Sequence, residues 1–124
     1  METITRLLKD AGLPTHRAPT SPGEMVRAFI GDLGISQAAV ARGLGITANR
    51  LNEVVQDKRG ISADTALRLA AYFGTPPQFW LTGQTQWDLW HELRRSAGTY
   101  GDVRRRRPRV VRAAHRPRRE AAER

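Results

Sequence analysis

Between Gln37 and Arg59 the chain gathers side chains that can read or grip nucleic acid. Asn49 and Asn52 carry the paired amide donor and acceptor that match adenine N6 and N7, and Arg50 can fork onto guanine O6 and N7 or hold a phosphate. Glu53 can accept from cytosine N4. Thr47, with the backbone N–H groups that follow it, suits a phosphate oxygen, and Gln37, Lys58 and Arg59 are further candidates to fix a register on the backbone. Taken singly, Asn, Arg, Asn and Glu describe the solvated face of any surface helix equally well. Other chemistries find less. His16, His91 and His115 sit in a linker, a helix and a basic tail without a partner at ligand spacing, and cysteine is absent, so no metal site or cofactor is expected. Ser36 and Ser62 are better used as helix caps, and Asp64 and Asp88 as helix N-terminal or surface acids. No acid, base and pocket assemble into an enzyme.

The elements that must present these residues follow from punctuation and period. Ser36 predicts an N-cap for a helix over 37–44, Gly45 a turn, Ile46 a plug, and Thr47 a second N-cap for a helix over 48–56. Small Ala41 lets the second helix approach the first, while Val40, Leu44, Leu51, Val54 and Val55 bury the junction and leave the opposite face polar. This is the pattern of a helix-turn-helix, with 48–56 as recognition helix. Around it, Ser21-Pro-Gly-Glu24 predicts a capping box and a helix ending at Gly34, whose Met25, Val26, Phe29, Ile30 and Leu33 form an inward stripe. Ser62 caps a helix over 63–73, with Ala66, Leu67, Leu69, Ala70 and Phe73 toward the core. A last helical region runs from Gln78 to about Arg95, with a candidate break at Gly83.

A chain of 124 residues holds one small core. Composition divides it into a short amphipathic helix and linker over 1–18, a folded unit over 19–95 and an arginine-rich tail over 96–124. Of 21 Lys and Arg and 12 Asp and Glu, residues 103–124 hold 10 Arg and 2 Glu, which leaves 11 basic against 10 acidic residues elsewhere. The body is nearly neutral, so a nucleic-acid site within it depends on local placement of charge. The tail is expected to be disordered. It could add sequence-independent phosphate contacts, bind RNA or an acidic partner, or do nothing. No apolar run approaches a membrane span, and the N-terminus lacks the pattern of a signal peptide, so a cytoplasmic protein with no membrane partner is expected.

The segment from Pro19 to Leu81 resembles the HigA-type, or VapI-like, antitoxins within the XRE (lambda-repressor-like) helix-turn-helix family. The specific pieces are Pro22-Gly-Glu24, Asn49-Arg-Leu-Asn-Glu53, the run from Lys58 to Leu69, and Gly74-Thr75 followed by Phe79-Trp-Leu81. The resemblance implies an all-α, five-helix domain, here with an added short N-terminal helix and the basic tail. It also implies a homodimer on an inverted repeat in its own promoter, and neutralisation of a co-encoded HigB-type toxin with the RelE ribonuclease fold. Position by position it puts Gln37, Thr47, Asn49, Arg50, Asn52 and Lys58 at DNA-touching places, and Ala48 at a base-facing place where its methyl suits thymine. A stand-alone XRE-type regulator with no toxin would share the same fold and DNA site. A protein- or RNA-binding module driven by the tail is the rival of another class. Trp87, Trp90 and Leu93, at spacing three, form a stripe that a core of this size has little room to bury, which predicts a dimer seam there.

Overall fold

The computed structural model describes residues 2–108, which form α1 (Glu2–Asp10), α2 (Pro22–Leu33), α3 (Gln37–Leu44), α4 (Ala48–Val55), α5 (Ala63–Phe73) and α6 (Pro77–Arg106). Among the described residues there is no strand. The caps fall where the sequence places them. The side-chain oxygens of Ser21, Ser36, Thr47 and Ser62 accept from the backbone N–H three residues on, at 3.1, 3.1, 3.0 and 3.3 Å. Each such cap contributes about 1 kcal/mol, so the four short helices α2 to α5 are delimited by local chemistry before any packing.

Packing supplies the rest. Val26 and Ile30 of α2, Val40 and Leu44 of α3, Leu51 and Val54 of α4 and Leu69 of α5 converge on one core. Trp80, fully buried at the start of α6, closes it. Its ring meets Phe29 edge-on at a centroid distance of 5.0 Å, and its indole N–H donates to the Thr75 hydroxyl at 2.7 Å. Two expected core positions are instead exposed. Leu67 is 59% exposed and Leu33 lies at the solvent end of α2. The buried side of α5 is made by Thr65, Ala66, Leu69 and Ala70, and Leu67 projects away from it.

The ends of the chain depart from expectation more. The break at Gly83 does not occur: α6 runs through that residue, which is buried against Met25. The helix then continues beyond Arg95 to Arg106, with non-helical φ/ψ of −134° and 32° at Ser96. Across that kink Tyr100 donates to Glu92, which also holds Arg95. The Glu92 carboxyl lies below its ordinary value because of these bonds, Tyr100's first, and the Tyr100 phenol is raised above its own by the same contact. Residues 96–106, expected as disordered tail, are therefore helical, and the remainder of that tail, 109–124, lies outside the described residues.

Nor do residues 1–18 stand apart. Leu8 of α1 and Leu13 of the linker bury Trp90, with Ile4, Ala18 and Leu93 packed around them. The Trp90 indole N–H donates to the Pro14 carbonyl at 3.0 Å, across 76 positions of sequence. This second small core corrects the reasoning behind a dimer seam at Trp87, Trp90 and Leu93. Trp90 is only 9% exposed and Leu93 packs beside it. Their stripe is covered by the chain's own first helix, leaving Trp87, half-buried against His91.

Candidate nucleic-acid interface

The turn between α3 and α4 is closed by backbone bonds. Gly45 takes the left-handed conformation, φ 73° and ψ 29°, and its N–H donates to the Arg42 carbonyl at 3.1 Å. The Ile46 N–H reaches the Ala41 carbonyl, also at 3.1 Å. This pair of bonds terminates α3 and swings α4 across it, a geometry that needs a residue at ease with positive φ. Ala41 is buried at the crossing. A larger side chain there would wedge the two helices apart.

The polar face of α4 that results is not uniform. Ala48, Asn49 and Asn52 are exposed, as is Thr47 just before them, whose hydroxyl oxygen already caps the Arg50 N–H while its own hydrogen stays available to a phosphate. Gln37, from the first turn of α3, donates its amide to Asn52 Oδ1 at 3.3 Å, and Gln56 donates to the same oxygen at 3.4 Å. The two bonds hold the Asn52 side chain from both sides. They join the start of α3 to the middle of α4, so these residues form one constellation, as their types suggested.

Arg50 is different. Its guanidinium turns toward α5, donating to Asp64 Oδ2 at 2.7 Å and to the Thr65 hydroxyl at 2.8 Å. Asp64 also accepts from Arg68 Nε at 2.9 Å, and Arg68 Nη1 donates to the Leu44 carbonyl at 2.9 Å. The three side chains brace α4, α5 and the last turn of α3 against one another. The Asp64 carboxyl is held below its ordinary value by the hydrogen bond from Arg50, then by that from Arg68. For Arg50 to read a base, this brace must open.

Glu53 is likewise engaged, accepting from Arg59 Nη2 at 2.9 Å, and the pair folds over the exit of α4. There Asp57, at φ 59°, reverses the chain and accepts the Gly23 N–H at 2.8 Å, while Arg27 donates to the Val55 carbonyl at 3.1 Å. These contacts anchor α2 to the end of α4. Lys58 stays exposed beside them. Asp64 was legible as a helix N-terminal acid with Arg68 four positions on. Its hold on Arg50 carried no sequence signal.

A helix-turn-helix family matches residues 26–80, which span most of α2 through the start of α6 and contain all of these side chains. Virulence-associated protein I of Dichelobacter nodosus is 48% identical over 69 residues, 55% of this chain and 64% of that protein. The match thus spans less than two thirds of that relative's length. Antitoxin HigA-1 of Vibrio cholerae is 36% identical over 77 residues, 61% of this chain and 72% of that one. The chain belongs to the HigA family. Antitoxin HigA of Pseudomonas aeruginosa, solved with the higBA promoter, superposes with a TM-score of 0.62 at 36% identity, covering 74% of this chain and 98% of that one. The braced α4 of this HigA-family chain therefore sits in a domain whose fold is the one that carries the promoter in that complex.

Proposed function

We propose that this chain is a HigA-type antitoxin that represses its own operon as a homodimer on an inverted-repeat operator and neutralises a co-encoded RelE-fold, HigB-type toxin. The observation that carries the DNA reading is the open face of α4, where Ala48, Asn49 and Asn52 stand exposed behind the Thr47 cap. In this reading Asn49 and Asn52 read base edges in the major groove, and the Ala48 methyl packs on a thymine. Gln37, Thr47, Lys58 and Arg59 hold phosphates on either side. Arg50 and Glu53, engaged within the chain, support the face first and join the contact set only where the DNA outcompetes Asp64 and Arg59. A dimer sets two such helices about 34–36 Å apart, one turn of the duplex, and Trp87 is what remains of the aromatic stripe for a seam. The relative solved with its promoter supports the DNA arm.

Two measurements test the two arms. Changing Asn49 and Asn52 together to Ala is expected to remove about 1–3 kcal/mol of discrimination for each base pair no longer read, measured as the ratio of operator to scrambled-duplex affinity. An unchanged ratio would reject α4 as the reader. For the toxin arm, the chain purified from its native cells is expected to carry a stoichiometric small basic protein that arrests growth when expressed alone. A partner-free homodimer that still retains its operator would mark a stand-alone regulator.

A further inference from the structure

A second concentration of positive charge lies away from the helix-turn-helix, where α1 crosses the last turns of α6. Leu8 and Ile4 seat α1 on Trp90 and Leu93, and buried Gly101 lets the two helices close together. A Cβ at that glycine would stand 2.8 Å from Thr3 Cγ2. This crossing brings Arg6 and Lys9 of α1 beside Arg104, Arg105 and Arg107, and the five cations line one groove of about 960 Å³. Asp10 is the one carboxylate among the described lining residues, and it is paired with Arg104. Arg105 is paired with Asp102. Among the described side chains no carboxylate holds Arg6, Lys9 or Arg107, all three of which are exposed.

We propose that this groove is a second DNA contact, gripping the phosphates of a duplex without regard to sequence. Four of the five cations among its described lining residues are arginines, whose planar forks match phosphate oxygens two at a time. Its described lining has no aromatic ring on which unpaired bases could stack, which disfavours a single strand. Among the described lining residues Leu7 is the only large apolar side chain, too little to anchor a peptide. The sequence beyond Pro108 continues with the same sign, six Arg against two Glu. Neither Arg6 nor Lys9 announces this role in the sequence, because a helix with two basic and two acidic residues reads as neutral until α6 supplies the rest.

The test compares salt dependence on a random-sequence duplex for the full chain, for Arg6→Gln with Lys9→Gln, for Arg105→Gln with Arg107→Gln, and for a control pair of equal charge change, Arg17→Gln with Arg95→Gln. Each groove pair is expected to flatten the slope of log affinity against log salt by about 1.8, at about 0.9 for each phosphate no longer neutralised. The control is expected to keep the parent slope, and the ratio of operator to random affinity should be the same in all four proteins. Because both groove pairs alter exposed side chains, circular dichroism should not change. Slopes unchanged in both groove pairs, or an equal loss in the control, would overturn the proposal. So would a loss seen on an A-form RNA duplex or on polyglutamate but not on DNA. Were the operator reading itself wrong, the ratio would be one in every protein and the slopes would still report on the groove.

Discussion

Arg50 is the residue at which type and role part company. A guanidinium on the first turn of a recognition helix suits guanine, yet here it is committed to Asp64 and Thr65. Asp64→Asn weakens that hold by removing the carboxylate charge that Arg50 and Arg68 share. The variant is expected to bind random duplex more tightly, with a salt slope steeper by about 0.9 if Arg50 reaches one phosphate; equal slopes would show that Arg50 stays on α5 in the complex. The sign of the pH effect follows from the lowered carboxyl of Asp64. A depressed folded value means that the brace stabilises the fold above the group's ordinary value of 3.8, and that this contribution is lost as pH falls through the lower, folded value. Melting temperatures of the parent and Asp64→Asn should therefore differ by a constant amount from about pH 5 to 8 and converge on strong acidification. The i,i+4 pair of Asp64 and Arg68 was readable from spacing. The link to Arg50, fourteen residues away, was not.

At the scale of elements, hydroxyl caps set the starts of α2 to α5 and glycines the ends of α2, α3 and α5, because both act within a few residues of chain; α4 ends instead at Gln56, before Asp57 reverses the chain. What they could not reveal is which glycines are demanded by a neighbour. Gly23 and Gly31 both lie in α2, and a Cβ on Gly23 would sit 2.3 Å from the Val55 carbonyl oxygen, whereas one on Gly31 would meet nothing within 4 Å. The same substitution is thus expected to act with opposite signs. Gly23→Ala should cost about 1–3 kcal/mol by overpacking, and Gly31→Ala should stabilise by up to about 1 kcal/mol through helix propensity; urea unfolding of the two variants decides. Equal effects would mean that α2 shifts freely over the end of α4. The same blindness explains α6, where Gly98 and Gly101 read as tail composition although Gly101 is a contact surface for α1.

For the whole molecule, the docking of α1 on α6 matters most. It covers Trp90 and Leu93, turns an expected intermolecular seam into an internal core, and assembles the basic groove at its far side. Among the described residues no helix is long and apolar enough to cross a membrane. Removing residues 1–15 is expected to uncover the aromatic stripe, shifting tryptophan emission toward that of solvated indole and raising self-association in light scattering at matched concentration. An unchanged mass and spectrum would place the covering of Trp90 elsewhere. Residues 26–80, which hold the helix-turn-helix, should still retain the operator in that deletion if dimerisation does not need α1.

The sequence by itself determined what short-range physics determines. Caps at Ser21, Ser36, Thr47 and Ser62, the turn at Gly45 and the periodic burial of Val40, Leu44, Leu51 and Val54 all depend on residues a few positions apart, so the helix-turn-helix and its exposed Asn49 and Asn52 were legible. Tertiary structure alone decided how amphipathic faces found partners. The faces of α1 and of the Trp90 stripe each read as unpartnered, and either could have sought a second chain. Their mutual burial, like the capture of Arg50 by Asp64, depends on the relative placement of whole helices, which local spacing does not encode.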